Sequence, residues 1–131
     1  MTATAARGVA SVRIAATVGL AFSALAILAG TRVLTGRDVP DYPVLPWLVH
    51  YNVAAGIAGV VVALGVWRAR SWARAAAWVV TALHGGVLLA LIATRLTGGV
   101  VATDSLVAMS LRTVVWLAIA FAASRTLRAR D

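Results

Sequence analysis

Apolar residues run along this chain in four long blocks separated by short polar stretches. Ile14 to Thr31, Leu45 to Trp67 and Ala75 to Thr94 contain no charged residue, and Leu106 to Ala123 contains one, Arg112. A bilayer core about 30 Å thick needs roughly 20 apolar residues of helix to cross it, so each block predicts a transmembrane helix. A helix lying on a soluble core carries a polar outer face at helical spacing, whereas these blocks are apolar nearly all round. The expected fold is all-α: an integral-membrane, antiparallel four-helix bundle, one domain from 1 to 131, with spans at about 14–31, 45–67, 75–94 and 106–123.

Composition narrows the chemistry. Of 131 residues, 62% are hydrophobic and 12% charged, against roughly a quarter charged in soluble domains. The absence of cysteine excludes disulfides, thiolate catalysis, Cys-ligated zinc and iron–sulfur clusters. Every basic residue is arginine and every acid is aspartate, which removes paired-glutamate and lysine Schiff-base chemistry. No catalytic constellation remains, and an enzyme is not expected.

Arginine distribution sets an orientation through the positive-inside rule. Arg7, Arg13, Arg68, Arg70, Arg74, Arg125, Arg128 and Arg130 share one side of a four-span chain. Arg32, Arg37 and Arg95 share the other, with Asp38, Asp41 and Asp104. Both termini are therefore expected in the cytoplasm, Trp47 at the outer interface, and Trp67 and Trp72 at the inner one. The net charge of +8 follows from this topology rather than from a nucleic-acid face, which needs a basic segment of soluble length. The inner arginines suit anionic lipid headgroups. Ala24-Leu25-Ala26 resembles a signal-peptide cleavage site, but the apolar run is longer than the usual h-region of roughly 7–15 residues, so the first span is expected to be retained.

Pro40, Pro43 and Pro46 recur every third residue, the period of polyproline II, and predict a stiff connector. Pro46 is suited to the first position of a helix, and Gly98-Gly99 to ending the third span. Small residues four apart let helices approach closely in lipid. Ala15, Gly19 and Ser23 form such a stripe, as do Ala55, Gly59 and Ala63 with Asn52 and Gly56 alongside, and Ala82, Gly86 and Ala90. These faces predict either the bundle's own packing or a homo-oligomer.

Three ionisable residues fall within the spans, and such groups are functional-site hypotheses by default. Arg112 suits capture of an anion in an outward-facing cavity. It also suits an ion pair with Asp104, Asp41 or Asp38, with Trp116 one turn on for a cation–π contact. His84 lies near mid-membrane, with Thr81 or a preceding carbonyl as expected partners. His50 shares a bulky aliphatic face with Val53, Ile57 and Val61 and is expected to reach for the headgroups.

At this length four spans invite comparison with small multidrug-resistance exporters, but those use a glutamate in the first span and this chain has none. The first span followed by Gly30-Thr31-Arg32 resembles DoxX-like proteins over about one span, which implies the four-span plan and nothing of function. Three functional expectations follow. The first is a non-catalytic bacterial inner-membrane protein acting through helix packing, as an accessory subunit or homo-oligomer, without a cofactor. The second is a binding or transport protein whose cavity, lined by Arg112, His84 and Asn52, holds an anionic or quinone-like molecule. The third is a redox subunit holding haem between His50 and His84.

Overall fold

The computed structural model describes residues 3–127, with side chains described from 8 to 126. Arg7, Arg128 and Arg130 of the basic group lie outside the described side chains. Four helices follow in order: α1 (Ala3–Leu34), α2 (Pro46–Trp67), α3 (Ser71–Leu96) and α4 (Thr103–Leu127). Each is long and apolar enough to cross a membrane. The chain is accordingly read as a multi-pass membrane protein.

The helix ends have local causes. Pro46 occupies the first turn of α2, with extended Leu45 before it, where the missing N–H deprives no hydrogen bond. Gly98 takes a φ of +86° after α3, and the Gly99 amide returns to the Thr94 carbonyl at 2.8 Å. This is the left-handed close that glycine permits. Gly36 does the same after α1 at φ +71°. In the α2–α3 link, Ala69 stands at φ +53° and the Arg70 amide reaches the Gly65 carbonyl at 2.9 Å. Three helices outrun their apolar blocks. Thus α1 starts at Ala3 rather than near Ile14, and α3 at Ser71 rather than near Ala75, while α4 spans Thr103–Leu127. Hydropathy marks the lipid-soluble part of a helix, but only a backbone signal stops its hydrogen bonding. The alanine-rich start of α1 contains no proline.

Helices α1 and α2 form one close pair and α3 and α4 another; α1 also packs on α4 and, more loosely, α2 on α3. Two apolar clusters occupy opposite halves. The arginine-rich half holds Val12, Ala16, Ala63, Val66, Ala77, Trp116, Ile119 and Ala120. The other holds Leu48, Leu91, Val101 and Met109. Residues early in α1 and α3 meet residues late in α2 and α4, so neighbouring helices are antiparallel.

The α1–α2 approach uses the small residues expected of it. A Cβ on Gly19 would stand 3.4 Å from the Ala63 Cβ of α2, and one on Gly56 would stand 2.9 Å from the Ser23 carbonyl oxygen. A Cβ on Gly59 would run into the Ser23 side chain and lie 3.0 Å from Trp116. The expected stripe on α3 is a correction. Gly86 has nothing within 4 Å of where its Cβ would be, and Ala82 and Ala90 are exposed with it. At about 100° per residue, Gly86 lies roughly 200° from His84 around the helix. His84 is 4% exposed, and turning this polar ring inward turns the small-residue stripe out. We expect Gly59→Val to destabilise the bundle by about 1–3 kcal/mol through overpacking, and Gly86→Val to stay within about 0.5 kcal/mol. Reversible unfolding by SDS in mixed micelles measures both.

Candidate functional site

Between the two apolar clusters lies a layer of polar side chains contributed by all four helices. On α4, Arg112 Nη1 donates to Asn52 Oδ1 of α2. On α3, His84 Nδ1 is hydrogen-bonded to the Tyr51 hydroxyl of α2 at 2.7 Å. Trp116, one turn beyond Arg112, stands edge-on to His84 with centroids 6.5 Å apart. Ser23 of α1 is 4% exposed and faces Gly59. A small chamber of about 10 Å³ is lined here by Ser23, Asn52, Gly56, His84, Arg112 and Trp116. That is about the volume one water needs, and such a water requires several polar partners; this lining offers them.

Above the Arg112–Asn52 bridge, towards the aspartate-bearing end, a larger cavity of about 280 Å³ opens between α1, α2 and α4. Leu45, Leu48, Val49 and Met109 give it apolar walls. Pro40, Tyr42 and Val44 of the proline connector cover one side, and Asp104 and Ser105 lie at its rim on the first turn of α4. Arg112 and Asn52 line both this cavity and the chamber below. Asp104 is eight residues from Arg112 along α4, about 12 Å at 1.5 Å per residue. The cavity is therefore bipolar, cationic at its floor and anionic at its mouth. Below the chamber, tightly packed Trp116, Ile119, Ala63 and Ala120 block passage towards the arginine-rich end.

Arg112, His84 and Asn52 thus converge, although the ion pairing expected of Arg112 is corrected. Asp38 pairs with Arg32 at 3.0 Å, and Asp104 sits two turns away on the same helix. The partner Arg112 finds is the neutral amide of Asn52. The cation–π contact described in the bundle joins Arg13 to Trp67 rather than Arg112 to Trp116. His84 takes Tyr51 as its partner instead of Thr81, whose hydroxyl donates to the Ala77 carbonyl at 2.8 Å. His50 and His84 are not brought together. His50 is exposed with its Nδ1 against the Pro46 carbonyl at 2.8 Å, whereas His84 is buried inside the bundle. Among the described residues no group of three or more His, Cys, Asp or Glu could hold a metal ion.

Sequence reasoning missed Tyr51, and it read Ser23 as a packing residue only. A tyrosine next to Asn52 is a visible signal of a polar face. Its match to His84 across two helices depends on rotations that no single sequence specifies. Tyr51→Phe leaves His84 Nδ1 without its partner, and such an orphaned buried group costs about 1–3 kcal/mol. SDS unfolding should register that loss, while Tyr42→Phe, at the connector, should change little.

Comparison with protein-family models, with curated proteins and with solved structures finds no match to this chain.

Proposed function

We propose that this chain is a non-catalytic membrane binding protein that takes a small anionic molecule into the cavity between α1, α2 and α4. The observation carrying this reading is that Arg112, inside a span, meets a neutral amide and lies at the floor of an open cavity. An intramembrane arginine is costly, and its planar fork suits a carboxylate or similar group. The apolar walls fit an aliphatic or aromatic body, and a donor or cationic group at the ligand's far end would meet Asp104. Binding rather than conduction is supported by the packed apolar cluster beneath the chamber. The arginine asymmetry supports a bacterial inner-membrane orientation with both termini cytoplasmic and this cavity facing outward.

Native mass spectrometry of the protein, extracted in mild detergent from its own membrane, tests the reading. A reproducible acidic mass retained by the wild type and lost from Arg112→Leu is the expected result. Retention of the same mass by both proteins would overturn it.

Self-association as a homo-oligomer or with another membrane protein is a second reading. It has one supporting observation: Ala82, Gly86 and Ala90 face outward while the small-residue faces of α1 and α2 are used within the chain. Cross-linking in native membranes, lost in Gly86→Leu, is its expected outcome; an unchanged ladder would count against it.

A further inference from the structure

A second cavity, about 350 Å³, lies at the opposite end of the bundle, where α1, the end of α2 and the end of α4 meet. Its lining is Val9, Val12, Arg13, Trp67, Arg68 and Thr126, with Ala69 at the link. The Arg13 guanidinium stands over the Trp67 indole, 5.9 Å from the ring centroid, which holds the cation at the cavity rather than free in solvent. The turn fixes the Arg68 backbone at the cavity. Its amide bonds the Leu64 carbonyl at 3.0 Å, and the turn closes behind it at Ala69 and Arg70.

Two further features point to the occupant. No aspartate lies at this end among the described residues, since Asp38, Asp41 and Asp104 all sit at the other. None of the described residues lining the cavity offers Arg13 and Arg68 a carboxylate. Outward-facing Trp67 and Trp72, 41% and 48% exposed, mark the level of the headgroups, where indoles concentrate. Cavity and lipid phosphate thus share one depth.

We propose that this cavity is a binding site for the phosphate headgroup of an anionic phospholipid, gripped by Arg13 and Arg68 with Trp67 as the wall beneath. Forked guanidinium donors suit phosphate oxygens, and Val9 and Val12 supply an apolar edge, while the Thr126 hydroxyl in the same lining donates to the Gly8 carbonyl at 3.4 Å. The volume falls at the small end of the range of roughly 300–1,000 Å³ for small-molecule sites, which suits a headgroup with its acyl chains left in the bilayer. The site is independent of the cavity at Arg112 and survives if that reading fails.

The test is native mass spectrometry of the purified protein in micelles with equimolar phosphatidylglycerol and phosphatidylcholine of matched chains. The wild type should retain phosphatidylglycerol about tenfold or more over phosphatidylcholine, as two arginines acting on one anionic lipid imply. R13Q/R68Q should lose that preference, and each single variant should lose part of it if the double variant folds poorly. R125Q removes the same single charge as either single variant, at the same end but outside this cavity, and should keep the preference. An equal loss in R125Q would replace the site by diffuse attraction and overturn the proposal. Displacement of the lipid by millimolar inorganic phosphate would also overturn it, assigning the cavity to a free anion.

Discussion

Replacing Trp116 by alanine should cost about 3 kcal/mol of bundle stability, the largest loss expected of any single side chain here. Trp116 is 2% exposed. It fills the crossing where Gly19 and Gly59 bring α1 and α2 close and where the His84 ring stands edge-on. In lipid the transfer of apolar surface from water contributes little, because the unpacked helix is already in hydrocarbon. The void remains. On the order of 130 Å³ of unfilled volume at about 24 cal/mol per Å³ gives about 3 kcal/mol. Phe121 provides the comparison. It stacks edge-on to Trp78 at 5.1 Å but is 51% exposed towards the surroundings. Lipid chains can refill that space, so Phe121→Ala should cost less than about 1 kcal/mol. SDS unfolding of both variants decides the matter, and equal losses would contradict the packing described for α4.

Arg112→Leu should fold and yet lose affinity for carboxylates by about ten- to a hundredfold. Two effects on stability oppose each other. Removing a charge from within a span relieves up to about 2.5–3.5 kcal/mol, less towards the interface. Leaving Asn52 without its donor costs about 1–3 kcal/mol. The terms are similar, so net stability should shift by no more than about 1–2 kcal/mol. Binding has no such compensation. A charge-assisted bond to an anion is worth about 1.5–3 kcal/mol, and leucine supplies none of it. Thermal unfolding followed by tryptophan fluorescence, with and without octanoate, separates the two: octanoate should raise the wild-type midpoint and leave that of Arg112→Leu in place. A variant that fails to accumulate would instead assign Arg112 to holding α4 against α2.

Much of this architecture is legible in the sequence because lipid imposes simple rules. Four uncharged or nearly uncharged blocks become four helices, Pro46 opens α2, and Gly98 closes α3. The small residues of α1 and α2 meet as their spacing implies, at Gly19, Ser23, Gly56 and Gly59. On α3 two signals compete: His84 and the Gly86 stripe cannot both face inward. Spacing alone does not rank them, and the arrangement turns on Tyr51, a residue on another helix. Arg112 is similar. Its depth is readable from the block it interrupts, but its partner depends on which face α2 presents. Of the aspartates that look available, Asp38 is taken by Arg32, Asp104 is stranded two turns up the same helix, and Asp41 in the connector makes no ion pair with Arg112 among the described residues. Only the assembled bundle shows that the remaining neighbour is a neutral amide beside an open cavity.

The most direct test of an anion site at Arg112 is isothermal titration of the detergent-solubilised protein with octanoate and, separately, with 1-octanol. The two probes share an apolar body and differ in the charged head. Saturable one-to-one binding of octanoate, with no comparable binding of 1-octanol, is the predicted result. Equal heats for both, or for octanoate with the wild type and Arg112→Leu alike, would show that the cavity merely dissolves apolar chains and would contradict the account.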